Sequence, residues 1–341
     1  MKVKFWGVRG SIPTPAHSTD SVWKLEKIIN SALKARLEDN KSIRKFIDEL
    51  PPYLLHPVGG NTPCVEVRHG DDLIVLDAGS GLRPLGLELN KDAVFSESEL
   101  YLAIEAGHKL TQYERREIDY DGIHLNFLIS HTHWDHLQGF PFFTPAYNPD
   151  TTIAIYGRSD EELAKAFEIQ QMAPSMFPIA LGDMGSKISF NTFPAEGLTI
   201  GGLTIQAMPV PHPGGSLAFR ITAEGRSMVY ATDYEFSSID SDEAGDFVNF
   251  IKNADLLISD TQYTYLEGAA REGWGHSTSF GAMDLAMRAG VAAFYMFHHD
   301  PTHDDAKLFA NLEKTRAYHT MMSGRAQMAI ELAIEGMTLE V

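Results

Sequence analysis

Apolar residues gather in short runs, several alternating with polar ones, that close on turn-forming or ligand-type residues. The runs are Val3–Val8, Cys64–Arg68, Leu73–Leu76, Leu125–Ile129, Thr152–Tyr156, Leu203–Val210, Ser216–Thr222, Ser227–Ala231, Asp255–Ser259 and Ala292–Phe297. They predict about ten strands. Helical spacing lies between them at Ser21–Leu50, Asp160–Gln171, Asp242–Lys252, Ser279–Gly290 and Asp304–Tyr318, with a terminal segment at Ala329–Gly336. Early hairpins followed by alternating strand and helix imply a layered α/β or α+β fold.

Two stretches read as insertions into this plan. Residues 17–57 form a polar helical excursion with Leu25, Ile28, Ile29 and Leu33 on one helical face, ending at Pro51-Pro52. Residues 90–122 are charged and weakly patterned. Neither has the composition of an independent domain, so one domain over 1–341 is expected. Each insertion reads as surface decoration, a dimer contact or a lid over a site.

The 341 residues are 44% hydrophobic, enough for a sizeable core. Their 28 Lys and Arg against 46 Asp and Glu give a formal charge of −18, which repels phosphate backbones and disfavours long nucleic acids as partners. A small anion stays within reach, because bound metal ions reverse the sign of the potential inside a site. The single cysteine, Cys64, forms no intrachain disulfide, so a reducing cytoplasm is expected. Met1–Gly7 lacks an apolar signal core and no run of about 18 apolar residues occurs, so neither secretion nor membrane insertion is expected.

The run His131-Thr132-His133-Trp134-Asp135-His136 follows the predicted strand Leu125–Ile129 directly, which puts it on a tight loop at a strand's C-terminal end. Alternate residues of an extended loop project to one side, so His131 and His133 can share one metal while Asp135 and His136 turn toward a second. Imidazole and carboxylate suit Zn²⁺, Mn²⁺ or Fe, whereas Ca²⁺ and Mg²⁺ prefer oxygen cages. A hydrogen-bonded polar loop would explain one histidine but not three and an aspartate within six residues. His212, Asp233 and His298 follow the runs Leu203–Val210, Ser227–Ala231 and Ala292–Phe297. Singly each reads equally well as a cap or turn residue; together they supply the further ligands a dinuclear site needs.

Motif order, spacing and strand context resemble the metallo-β-lactamase fold superfamily over nearly the whole chain. The resemblance implies an αββα four-layer sandwich, with two mixed β-sheets face to face between helices and the ligands along one edge. It assigns His131, His133 and His212 to one metal, Asp135, His136 and His298 to the other, and Asp233 to both. His299 competes with His298; the match favours His298 and turns His299 toward Asp300 or the core.

Phe5-Trp6-Gly7-Val8-Arg9-Gly10-Ser11-Ile12-Pro13-Thr14-Pro15, Gly59-Gly60-Asn61-Thr62-Pro63-Cys64 and Leu76-Asp77-Ala78-Gly79-Ser80-Gly81 are similar to the phosphodiesterase branch. That branch holds ribonuclease Z, the phosphonate-pathway cyclic phosphodiesterase and class II cyclic-nucleotide phosphodiesterases. Its glycines would let backbone approach beneath the metals, with Asp77 orienting that floor. Trp274-Gly275-His276-Ser277-Thr278-Ser279 resembles the segment whose histidine protonates the leaving oxygen, which points to His276. The plainer reading is that Ser277, Thr278 or Ser279 caps the following helix. Between Gly157 and His212 the chain has no Lys/Arg cluster of the kind that holds transfer RNA.

The resemblance thus implies a phosphodiesterase for a cyclic nucleotide or other small diester. Two divalent ions, Zn²⁺ before Mn²⁺ or Fe, would share an attacking hydroxide; Asp135 and His276 are the catalytic candidates. Asn61, Thr62, Ser277 and Thr278 are candidate contacts to phosphate or to ligands. Phe142, Phe143 and Tyr147 could stack on a base, although such aromatic runs more often form core. The alternatives are a thioesterase, lactonase or β-lactamase, a transfer-RNA 3′-processing endoribonuclease, and a non-catalytic nucleotide sensor. A homodimer through Ser21–Leu50 is a further expectation.

Overall fold

The structure is a computed structural model that describes residues 1–16, 18–35, 37, 39–90, 123–323 and 328–341. The insertion expected at 90–122 lies outside these residues, apart from Asn90. Among the described residues the strands of the first half are β1 (Lys2–Gly7), β2 (Cys64–His69), β3 (Asp72–Leu76), β4 (His124–Leu128), β5 (Thr152–Gly157), β6 (Lys187–Thr192) and β7 (Leu198–Ile200). Those of the second half are β8 (Leu203–Val210), β9 (Ser216–Ala223), β10 (Arg226–Ala231), β11 (Leu256–Asp260), β12 (Ala293–Phe297), β13 (Ala329–Leu332) and β14 (Thr338–Glu340). The helices are α1 (Ser18–Ala35), α2 (Asn40–Asp48), α3 (Pro52–Leu55), α4 (Leu82–Leu89), α5 (Asp160–Gln170), α6 (Asp242–Phe250), α7 (Tyr265–Ala270), α8 (Ser279–Ala289) and α9 (Asp305–Ser323).

Two seven-stranded sheets result, ordered β14-β1-β2-β3-β4-β5-β6 and β13-β12-β11-β10-β9-β8-β7. Each is mixed: β3 to β6 and β10 to β13 pair in parallel, the other neighbours antiparallel. Alternation along β3 shows why the layers form. Ile74 and Leu76 join the core between the sheets, while Leu73 and Val75 join a second core. In that second core Leu82 and Leu85 of α4 and Leu163 and Phe167 of α5 cover the sheet's other face. A strand buried on both sides reads as a continuous apolar run, as this one does. Cys64 is buried in the second core, where burial pushes its thiol pKa well up.

The structure corrects several boundaries. The helix expected over Ser21–Leu50 is two helices, because Asp39 caps α2 through the Ser42 amide and Ser42 reciprocates in a capping box. The terminal segment Ala329–Gly336 contains strand β13, parallel to β12. Strands β6, β7 and β14 carry weak sequence signals. In β6 only Ile188 and Phe190 pack on the core, and β14 is three residues long. Helix α4, with Pro84 and Gly86 inside it, has poor intrinsic propensity and forms because Leu82 and Leu85 are buried.

Arg9 and His299 form an isolated parallel bridge joining the two sheets at one edge. The loops after β3, β4, β8, β10, β11 and β12 meet at that edge.

Candidate metal centre

His131, His133, Asp135 and His136 come from the loop after β4, His212 from β8, Asp233 from β10 and His298 from β12. All seven lie in one cluster. The 3₁₀ turn Trp134–His136 rotates Asp135 and His136 inward and leaves Trp134 60% exposed. Three overlapping groups have ligand atoms within 4.8 Å of one another: His131, His133, His212 and Asp233; Asp135, His136 and His298; and Asp233, Asp260, His276 and His298. Asp233 faces both of the first two groups. Its Oδ2 lies 3.6 Å from His131 Nε2 and 3.8 Å from His212 Nε2, and its Oδ1 lies 3.4 Å from His136 Nε2 and 3.1 Å from His298 Nε2. Asp135 Oδ2 sits 3.3 Å from both His136 Nε2 and His298 Nε2.

The outer partners of the rings decide which nitrogen points inward. His136 Nδ1 donates to Asp77 Oδ2 at 2.8 Å, His212 Nδ1 to the Gly275 carbonyl at 2.8 Å, and His298 Nδ1 to Gln262 Oε1 at 2.8 Å. Ser130 Oγ donates to Asp77 at 2.9 Å, which leaves it to accept from His131 Nδ1 at 3.1 Å. Each of these four rings thereby turns a lone pair on Nε2 into the cluster. The Nε2 atoms of His131 and His136 are buried without any hydrogen-bond partner. Two orphaned acceptors inside a cage of carboxylates and imidazoles fit divalent metal ions and little else.

The electrostatics agree. Burial, with the neighbouring His136, pushes the His131 pKa well down, and burial lowers His133 and His212, so these three stay neutral as ligands must. Burial opposes charge on Asp135 and Asp233, but the surrounding histidines outweigh it and hold both carboxyls well below the usual range. At His136 burial is likewise outweighed, by Asp135, Asp233 and Asp77, which draw positive charge to that point.

Backbone strain concentrates here. Ser11 (φ 65°), Asp77 (58°), Asp233 (51°) and His298 (60°) occupy the left-handed region, which costs a non-glycine residue about 1–3 kcal/mol and recurs at functional sites. A Cβ on Gly10 would meet the His298 ring at 2.5 Å, and one on Gly275 would meet His212 Nδ1 at 2.4 Å, so both positions need glycine.

His276 stands at the rim. Its Nδ1 donates to Asp260 Oδ2 at 2.8 Å and lies 3.8 Å from Asp233 Oδ2. Burial alone would lower its pKa, but Asp260 raises it to about 9. Sequence reading missed Asp260 and Gln262. The signal for Asp260 was present: it closes the buried strand β11 just as other ligand-type residues follow their strands, one position past the predicted strand end. Beside His276 lies a groove of about 760 Å³ walled by Phe236, Tyr265, Phe280 and Tyr318, with Glu235, Glu272 and Asp284 on its lining and no Lys or Arg among the described residues that line it.

The remaining candidates are engaged within the fold. Asn61 Nδ2 donates to Glu335, Thr62 Oγ1 accepts from Ser80 and Gln138, Ser277 Oγ donates to the Tyr234 carbonyl, and Thr278 caps α8. Phe143 is wholly buried in the second core, and Tyr147 donates its hydroxyl to Pro141 O at 2.6 Å; stacking on a base is thus closed to Phe143. Phe142 is 53% exposed, with Phe177 packed edge-on. His299 turns to the core, its Nε2 3.0 Å from the Ala333 carbonyl.

A fold of two mixed seven-stranded sheets with this donor set along one edge is that of the metallo-β-lactamases, and the chain belongs to the β-lactamase superfamily. The superfamily domain matches residues 92–299, more than half of the chain. The likeness runs to the ribonuclease Z-like branch. Ribonuclease Z of Picrophilus torridus is 35% identical over 92 residues, 27% of each chain. The probable metallo-hydrolase YhfI of Bacillus subtilis is 32% identical over 127 residues, 35% of this chain and 48% of that one. These alignments span less than half the length of either relative. The crystal structure of unliganded yeast PDE1 superposes with a TM-score of 0.61 at 13% identity, covering 100% of this chain and 99% of that one, a likeness of fold alone.

Proposed function

We propose that this metal-dependent hydrolase is a phosphodiesterase acting on a cyclic nucleotide or another small diester, with two divalent ions, Zn²⁺ or else Mn²⁺ or Fe. The observation that carries the reading is the His276–Asp260 pair beside Asp233 and His298. A phosphate ester needs a proton delivered to its departing alcohol oxygen, and a histidine fixed at the edge of a metal cage supplies one.

His131, His133 and His212 would hold one ion, Asp135, His136 and His298 the other, and Asp233 would span both through its two oxygens. Bound ions would supply an ionised water and counter-charge for the phosphoryl oxygens. Asp77 holds His136 in the tautomer that presents Nε2, and Ser11 N, which donates to Asp135 Oδ2 at 2.7 Å, fixes that carboxylate. Asp260 occupies Nδ1 of His276 and so leaves Nε2 as the atom that gives up the proton. The groove beside His276 has room for the alcohol half of a small diester, and the acidic and aromatic side chains among the described residues that line it leave the phosphate charge to the metal side.

The likeness to ribonuclease Z favours an RNA substrate as a second reading. Against it stand the −18 charge and the three basic and six acidic residues between Gly157 and His212. The test is metal analysis with a hydrolysis panel on Zn²⁺- and Mn²⁺-loaded protein: cyclic mononucleotides and dinucleotides, bis-p-nitrophenyl phosphate, a transfer-RNA precursor, thioesters and lactones. Diester turnover that falls about 10²–10⁴-fold in His276→Ala, with metal content kept, supports the proposal. A fully metallated protein inert on every diester, or faster on a thioester or lactone and indifferent to His276→Ala, sinks it.

A further inference from the structure

His276 lies in the segment 271–278 that leads into α8, and this segment does little to hold itself in place. Gly273 (φ 82°) and Gly275 (φ 88°) both occupy the left-handed region, and Trp274 between them is 62% exposed, which gives the turn little apolar anchorage. Two glycines in one turn lose much chain entropy on ordering, so bonds from outside must fix it. Glu235 supplies them. One of its carboxylate oxygens accepts from the Gly273 amide at 2.8 Å and the other from the Gly275 amide at 2.6 Å. The Gly275 carbonyl accepts in turn from His212 Nδ1 at 2.8 Å, and the Glu235 amide donates to the Pro211 carbonyl at 2.9 Å, so the turns after β8 and β10 and the turn before His276 close into one ring of bonds. Past His276, Ser277 Oγ donates to the Tyr234 carbonyl at 2.7 Å. The proton donor is thus tied on both sides to the two residues that follow Asp233.

We infer that Glu235 is a positioning residue for proton transfer: by holding Gly273 and Gly275 it fixes the His276 ring beside Asp260 and Asp233, at 2.8 and 3.8 Å, where a departing oxygen can be met. This rests on the reading of His276 as the acid for the leaving alcohol. The residue type matters, because two amides that converge on one side chain need an acceptor at each end. A carboxylate offers both, whereas a glutamine of the same shape turns its NH₂ toward one of them. With that bond gone, Ser277 remains as the tether on one side only, and a shift of His276 by about 1 Å is enough to cost a proton transfer on the order of 10²-fold. The loss is selective. An alkoxide departs poorly without a proton, while p-nitrophenolate leaves without one, so a residue that acts through His276 affects the first and spares the second. A residue that merely supports the fold or the metal cage slows both alike.

The test compares Glu235→Gln with wild type, both full chains saturated with Zn²⁺ or Mn²⁺ and matched in metal content and circular dichroism. For the cyclic mononucleotide that wild type turns over fastest, kcat should fall about 10- to 100-fold with KM within about threefold. For bis-p-nitrophenyl phosphate it should fall less than about threefold. In the His276→Ala background, adding Glu235→Gln should change the cyclic-nucleotide rate by less than about twofold, since the residue acts only through that histidine. Amide hydrogen exchange supplies a readout without turnover: the peptide spanning 271–277 should exchange at least about 10-fold faster in Glu235→Gln, with the core strands unchanged. Should Glu235→Gln fail to fold or to keep its metal, Glu235→Asp, which retains the charge and shortens the reach by one methylene, should show the same split between substrates. Equal losses on both substrates, a full loss that persists in the His276→Ala background, or unchanged exchange at 271–277 overturns the inference and leaves the phosphodiesterase reading standing. So does a wild type that hydrolyses bis-p-nitrophenyl phosphate but no cyclic nucleotide. A metal-loaded wild type inert on every diester overturns both.

Discussion

Asp77 accepts from the Ser130 amide at 2.7 Å, the Tyr230 hydroxyl at 2.7 Å and the His136 ring at 2.8 Å, all from a left-handed backbone. It is not itself in the donor cluster, yet it fixes the aim of one histidine and, through Ser130, of a second. Asp77→Asn is expected to weaken metal binding about 10- to 100-fold, measured by competition with a chelating dye, since an amide cannot accept all three bonds. Asp260→Asn is expected to keep its metal and lose kcat about 10- to 100-fold with KM nearly unchanged, because it frees His276 to turn. The donors themselves were legible at this scale, since three histidines and an aspartate in six residues after an apolar strand have few other uses. Asp77 was legible only through the family likeness. Gln262 was not legible at all, because an amide becomes a histidine partner only once β11 and β12 lie side by side.

At the scale of elements, the cap of α7 ties the groove wall to α9. Glu267 accepts from the Thr264 amide and hydroxyl in a capping box and also pairs with Lys307 and with His303 at 3.1 Å. Partial burial works against its charge, but Lys307 and Thr264 outweigh it and bring the pKa down to about 2. A depressed carboxylate stabilises the fold fully above its ordinary value and loses that contribution as pH falls toward the folded value. Glu267→Gln is therefore expected to cost on the order of 1 kcal/mol at pH 7, after allowance for solvent screening. In urea melts that difference should shrink from about pH 4.5 down to pH 2. Helix and strand identities followed from periodicity where one face is buried, as in α5, α8 and β8. They were missed where tertiary pairing rather than pattern makes the element, as in β6 along β5 and β14 along β1.

For the molecule as a whole, the edge where the two sheets meet gathers three carboxylates and six histidines. Metal removal by a strong chelator is expected to lower Tm by about 5–10 °C, and stoichiometric Zn²⁺ or Mn²⁺ to restore it, because the ions bind the folded arrangement and not the unfolded chain. Calorimetry at fixed protein concentration checks this, and an unchanged Tm would mean that the cage holds together without ions. No helix among the described residues is long and apolar enough to cross a membrane. The sequence alone determined the strand-rich α/β layering, the clustered donors at strand ends and the strongly anionic surface, because periodicity, residue chemistry and net charge are local or additive. Tertiary structure decided the rest. The pairing of His276 with Asp260, the two-faced placement of Asp233 and the hold of Glu235 on Gly273 and Gly275 all depend on which distant strand or helix lies opposite, and no local pattern carries that information.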